Sequence, residues 1–159
     1  MLALEKHHQF MREAIRLSYE NISHGGGPFA AVIVKDDRVV AQGVNSVTRD
    51  NDPTAHAEIN AIRKACAALE SFDLSGCVIY SSCEPCPMCL SAIYWAHIEA
   101  IYYGNTRYGA AAIHFDDAFL YDELARPQYD RTIKATRMLG EEAWEAFIRW
   151  MKCSDKKEY

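Results

Sequence analysis

Two short segments carry residues able to hold a metal and move protons: His56-Ala57-Glu58 and Pro85-Cys86-Pro87-Met88-Cys89. Cys86 and Cys89 lie three residues apart, so at the start of a helix both sulfurs point to one side, and the positive end of the helix dipole favours their thiolate forms. One imidazole added to two thiolates makes a soft, three-donor set that suits tetrahedral zinc with the fourth position left to water. Three ligands and one water describe a catalytic centre. With two thiolates the metal unit is near neutral, so the water needs a neighbouring base to become hydroxide at pH 7. Glu58, two residues from the imidazole, is placed to serve.

Plainer readings of the same residues stay open at this level. Cys86 and Cys89 alone match a redox pair, although no thioredoxin-like pattern surrounds them. A closed structural site would recruit Cys83 as a fourth ligand, and Glu58 would then have no purpose. The remaining histidines, His7, His8, His24, His97 and His114, have no spacing that recommends them as ligands. Cys66, Cys77 and Cys153 are scattered and read as reduced thiols, the first two as small buried hydrophobes.

The elements that must position these residues follow from periodicity. Apolar residues Phe10, Met11, Ala14, Ile15 and Leu17 recur at helical intervals between Glu5 and Ile22. Gly25-Gly26-Gly27-Pro28 then breaks the helix and lets backbone approach a ligand closely. Phe29 to Lys35 and Arg38 to Val44 are β-branched runs joined by Asp36-Asp37, the spacing of a tight hairpin. A polar loop from Asn45 to Thr54 leads into a helix from about Ala55 to Leu69. A strand from Cys77 to Ser81 precedes the cysteine segment, a helix runs over Met88 to Ile98, and a strand over Ala100 to Tyr103. Beyond a Gly- and Ala-rich loop, the pattern predicts a helix from Asp116 to Ala125, a strand near Thr132 to Met138 and a last helix from Glu141 to Met151. Strands alternating with helices after a hairpin imply an α/β fold with one mixed sheet and helices on both faces.

Composition narrows the function classes. The chain has 159 residues, 50% hydrophobic and 25% charged, which fits one globular domain. A fold of this size buries roughly 70% of its unfolded surface, so a metal is not required for stability and needs a functional explanation. Seventeen basic against 22 acidic side chains leave a net charge of −5, which argues against broad nucleic-acid binding. No stretch approaches the roughly 20 apolar residues needed to cross a bilayer, and the first residues lack a signal layout, so the expected location is the cytoplasm and no membrane partner is expected.

The paired segments, His-x-Glu followed by Pro-Cys-x-x-Cys, are a known zinc deaminase signature. On it the chain resembles the cytidine deaminase-like superfamily over nearly its whole length, with a three-layer α/β/α fold implied for the single domain 1–159. Thr54-Ala55-His56-Ala57-Glu58 and Cys83-Glu84-Pro85-Cys86-Pro87-Met88-Cys89 look like its purine-type branch, which includes tRNA adenosine deaminases and small bacterial guanine deaminases. Asn51-Asp52-Pro53-Thr54, Phe115-Asp116-Asp117 and the terminal Lys156-Lys157-Glu158-Tyr159 are similar to the guanine enzymes. The resemblance implies one Zn²⁺ per chain on His56, Cys86 and Cys89, with zinc-bound hydroxide attacking C2 of guanine while Glu58 carries protons to the ring nitrogen and the leaving amine, yielding xanthine and ammonia. It implies base-binding roles for Phe29, Asn45, Ala57, Trp95, Asp117 and Tyr159. It also implies a homodimer whose C-terminal segments, 152–159, exchange so that Tyr159 closes the partner's pocket. Beside these stand ordinary structural roles: a core ring for Phe29, a turn former for Asn45, a helix cap for Asp117, core packing for Trp95 and a frayed end for Tyr159. Deamination of another base or nucleoside, adenosine editing in tRNA, and a zinc-stabilised binding module without turnover are the competing functions.

Overall fold

The hairpin expected at Asp36-Asp37 forms in the computed structural model, which describes residues 2–159. β1 (Ala30–Lys35) and β2 (Arg38–Val44) pair antiparallel, and both turn residues sit at positive φ, 49° and 59°, the two-residue turn whose twist matches its strands. β3 (Cys77–Cys83) runs antiparallel to the other edge of β1 and parallel to β4 (Ala100–Asn105). The order β2-β1-β3-β4 is a mixed sheet, as the sequence implied.

Interior strand β1 feeds two cores because successive side chains point to opposite faces. On one face α1 (Leu2–Ser23) brings Ala14, Phe10, Met11 and Leu17 onto Val32, Val34 and Tyr80. On the other, α3 (Ala57–Leu69) and α4 (Pro87–Trp95) bring Ala57, Ala61, Ala65 and Ile93 onto Ala31, Ile33, Ala41 and Ile79. The result is the expected α/β/α layering. α3 packs tightly on the sheet at Gly43 of β2, where an added Cβ would lie 2.2 Å from the Ala57 carbonyl and 2.4 Å from the Ala61 nitrogen. Glycine at this position sets the depth of the helix that carries Glu58.

The chain divides into two compact units, Met1–Ala118 and Phe119–Tyr159. The first holds the sheet, α1, α3, α4 and two short helices, α2 (Val47–Asp50) and α5 (Arg107–Ala112). The second holds most of α6 (Ala118–Ala125), a 3₁₀ turn (Gln128–Asp130) and α7 (Gly140–Met151).

Several boundaries move from their expected places. α3 starts at Ala57 rather than Ala55 because His56 is its extended N-cap, and α4 stops at Trp95 because His97 adopts a left-handed conformation, φ 57°. The Gly- and Ala-rich stretch is helical as α5, since the Thr106 side chain accepts from the Gly109 nitrogen and three alanines follow. The strand expected near Thr132 to Met138 does not form. Its alternating pattern finds no partner strand; instead the Thr132 nitrogen and hydroxyl donate to the Glu123 carboxylate at 2.7 and 3.1 Å, tying the segment to α6, while Ile133 and Met138 are exposed.

Candidate active site

The site forms where α3 and α4 begin, at the C-terminal ends of the parallel strands β3 and β4, the usual location for a ligand in such a sheet. His56 and Cys86 are the N-caps of the two helices. Both have extended backbone, φ −70°, ψ 158° and φ −65°, ψ 167°, which turns their side chains away from the helices they open. Cys89 follows in the first turn of α4. His56 Nδ1 lies 3.6 Å from the Sγ of Cys86 and 3.6 Å from that of Cys89, and one donor atom from each of the three residues lies within 4.8 Å of the others. Among the described residues this is the one cluster of metal-binding side chains.

Two soft thiol sulfurs and one imidazole in this arrangement fit zinc. Without metal, the Cys86 thiol is pulled down to about 4 by hydrogen bonds from Cys89 and His56. The adjacent sulfur in turn holds the His56 imidazole above its usual range. The site is therefore built to present a thiolate. Cys83 stands apart from the cluster: its Sγ donates to the Thr106 carbonyl at 3.7 Å, and burial pushes its thiol up to about 11. A closed site with Cys83 as fourth ligand is not the arrangement found.

Glu58 sits in the first turn of α3, 6% exposed, and accepts a hydrogen bond at 2.9 Å from the Ser81 hydroxyl on β3. Burial raises its pKa, because the charged carboxylate loses water that its few hydrogen bonds, the Ser81 hydroxyl among them, do not replace. A carboxyl group held this way favours its protonated form more than a solvated one does, which suits it to taking up and returning a proton.

A cavity of about 420 Å³, within the range of small-molecule sites, opens beside the cluster. His56, Ala57, Glu58 and Cys86 line it, as do three further residues singled out from sequence: Phe29, Asn45 and Asp117. Phe29 meets Phe115 edge to face, with ring centroids 5.0 Å apart, so two aromatic rings form one wall. Asn45 is buried, and its Oδ1 accepts from the Val47 nitrogen at 3.3 Å. Ala57 is the first residue of α3, where backbone N–H groups have no intrahelical acceptor and can serve a ligand. Asp116 and Asp117 divide their tasks. Asp116 Oδ1 accepts from the Ala118 nitrogen at 2.9 Å and so caps α6, whereas the buried Oδ1 of Asp117 has no hydrogen-bond partner among the described residues. Desolvation raises the Asp117 pKa.

Trp95 is not brought to this cavity; it lies on an exposed face of α4 with Tyr94. His114 does line the cavity and adopts φ 70°, whereas Tyr108 is outside it and exposed. Tyr159 belongs to the second compact unit and is exposed.

Some contributing residues carried no sequence signal. Ser81 reads as an ordinary strand residue, and Asn21 as a polar position near the end of α1. Yet the buried Asn21 side chain donates at 2.8 Å to both the Gly27 and the Asn45 carbonyls, bracing two cavity segments. An added Cβ at Gly26 would lie 2.2 Å from that amide, so the brace requires the glycine. Glu84 was visible beside the cysteine segment, but its partner Arg107 lies 23 residues away.

Residues 4–105 match the model of the cytidine and deoxycytidylate deaminase zinc-binding region. The chain is 48% identical over 154 residues to the guanine deaminase of Bacillus subtilis (strain 168), covering 96% of this chain and 99% of that one. It is 32% identical over 145 residues to the tRNA-specific adenosine deaminase of Aquifex aeolicus (strain VF5), covering 90% and 92%. The X-ray structure of guanine deaminase from Bacillus subtilis matches the fold with a TM-score of 0.93, covering 96% of this chain and 98% of that one.

Proposed function

The chain belongs to the cytidine and deoxycytidylate deaminase family, and within it we propose the hydrolysis of guanine: guanine and water give xanthine and ammonia. The observation that carries this reading is the near full-length 48% identity to a guanine deaminase, joined to a cavity with Glu58 beside three zinc donors. His56, Cys86 and Cys89 would hold a zinc ion, which would supply a Lewis acid able to acidify a water molecule. The protein's own residues do the rest. Glu58 takes a proton from the attacking water, gives it to the ring nitrogen next to C2, and later helps protonate the departing amine, so that ammonia leaves as the C2–N bond breaks. Low exposure shields these transfers from bulk solvent.

Recognition of the base falls to the cavity walls. The Phe29–Phe115 pair packs against the flat ring, while the side chain of Asn45 and the N–H of Ala57 read its polar edge. Asp117 Oδ1 accepts from a guanine N–H, which answers its lack of a partner.

The finer parts of this reading concern assembly and location. Residues 1–159 serve one deaminase domain that works as a homodimer in the cytoplasm, with segments 152–159 exchanged and Tyr159 closing the partner's cavity. In support, Tyr94 and Trp95 are 74% and 64% exposed, and α7 exposes Trp144, Phe147 and Trp150; a second copy would cover such surfaces. Trp95 acts in that interface in this reading. No helix among the described residues is long and apolar enough to cross a membrane, and the net charge of −5 gives tRNA no electrostatic footprint.

The test is ammonia release by zinc-loaded protein offered guanine, guanosine, adenine, cytosine and cytidine separately. Guanine alone turns over. Reaction of another compound with guanine inert would overturn the substrate assignment, and inertness toward all five would point to RNA or to binding without turnover.

A further inference from the structure

Glu84 and Arg107 form an ion pair at the cavity wall, between two segments far apart in sequence. Glu84 lines the cavity and belongs to the β3–α4 connection, two residues before Cys86. Arg107 opens α5. The guanidinium donates from both Nε and Nη2 to Glu84 Oε1, at 3.1 and 2.5 Å, and the Arg107 backbone nitrogen donates to Glu84 Oε2 at 3.0 Å. One carboxylate thus holds both the side chain and the start of a helix. The pair is largely withdrawn from water, with the Arg107 and Glu84 side chains 29% and 17% exposed, and the guanidinium keeps the Glu84 carboxyl below its usual range.

What the pair anchors is the path to Asp117. From Arg107 the backbone closes turn upon turn: Ala110 N to Thr106 O, Ile113 N to Ala110 O, His114 N to Ala111 O and Phe115 N to Ala110 O, at 3.0 to 3.1 Å. Asp116 Oδ1 then accepts from Ala118. The Asp117 Oδ1 has no such partner, so its position is inherited from this hydrogen-bonded segment. We propose that Glu84 and Arg107 are positioning residues that lock the α5–Asp117 segment to the metal-bearing loop, and so fix where Asp117 meets the substrate. The proposal rests on the reading above that Asp117 touches guanine.

The test is a double-mutant cycle with Arg107→Met and Asp117→Asn, measuring kcat/KM for guanine and zinc per chain in each variant. Misplacement of a contact by about 1 Å costs up to about 10²-fold, so Arg107→Met loses between about 10- and 100-fold with zinc retained. In the Asp117→Asn background the same change costs less than about twofold, because the group it positions is gone. Arg107→Lys, which keeps the charge but not the fork, falls between wild type and Arg107→Met. Affinity for xanthine, measured by calorimetry, follows the same pattern and serves where turnover is too slow to measure. Equal losses in both backgrounds, an unaffected Arg107→Met, or loss of zinc would overturn the proposal. An Asp117→Asn enzyme as active as wild type would instead sink the reading of Asp117 on which the proposal stands.

Discussion

Replacing Glu58 by Gln isolates the proton carrier from everything else the site does. The amide occupies the volume of the carboxyl, and its oxygen still accepts from the Ser81 hydroxyl at the 2.9 Å position, so the shape of the cavity survives. What is lost is the ability to take and return a proton. A general acid–base group contributes about 10²- to 10⁴-fold per transfer. In the proposed mechanism Glu58 serves both the water and the departing amine, so even the lower value for each predicts a loss of about 10⁴-fold, or about 5.4 kcal/mol of transition-state stabilisation. At 6% exposure, bulk water has little access to substitute. The assay is xanthine formation under single-turnover conditions, with zinc per chain measured on the same sample. Activity within tenfold of wild type would refute the role, and loss of zinc would show that Glu58 holds the metal.

The same substitution has a stability signature in the metal-free protein. Burial raises the Glu58 pKa above its ordinary 4.5, so the folded chain holds this proton at pH values where the unfolded chain has released it. Stability from this group is fully present below pH 4.5 and is lost as pH rises through the folded pKa. Glu58→Gln removes that loss and raises Tm above pH 4.5, while leaving part of the slope, since Asp117 is shifted in the same direction. An enzyme that is both inactive and more stable is the expected combination.

Cys83→Ser leaves zinc at one per chain and guanine turnover within about threefold, because the thiol faces the Thr106 carbonyl rather than the metal cluster, and a serine hydroxyl of similar size can donate to the same carbonyl. A fall to no zinc would make Cys83 a ligand. Deleting Tyr159 raises KM for guanine by about tenfold or more if its ring closes the cavity, the value of one aromatic contact of about 1.4 kcal/mol. Unchanged turnover would remove the lid from the mechanism, and a dimer by sedimentation with unchanged turnover would leave the assembly without a catalytic share.

The metal cluster was legible because its information is local. Cys86 and Cys89 are separated by one helical step, and a proline at the first helical position marks where that helix begins. The hairpin was legible for the same reason, two β-branched runs around a two-residue turn. What spacing could not reveal are contacts made across the fold. Ser81 reaches Glu58, Arg107 reaches Glu84, and Asn21 reaches Asn45, each over more than twenty residues and each through a residue type common on any surface. Gly43 is similar: in sequence it interrupts a strand, and only the packed helix shows that a side chain there would strike Ala57. The segment from Thr132 to Met138 misled in the opposite direction. Alternation is necessary for a half-buried strand but does not supply an edge to pair with, and here Glu123 satisfies the Thr132 backbone and hydroxyl first.

The choice of helix starts as ligand platforms has a physical logic that joins the fold to the chemistry. An N-cap residue has left the helical backbone path, so its side chain points away from the helix wall, and neither the His56 nor the Cys86 side chain makes a capping hydrogen bond. A Ser or Asp in either place would satisfy a helix N–H and contribute about 1 kcal/mol to stability. The chain forgoes that contribution twice and keeps two side chains free to converge within 3.6 Å. Binding energy from a metal held by His56 on one helix and Cys86 and Cys89 on the other returns as coupling between α3 and α4. Glu58 and the first N–H groups of α3 ride on one of those helices, so the coupling that fixes the metal also fixes the proton carrier against it.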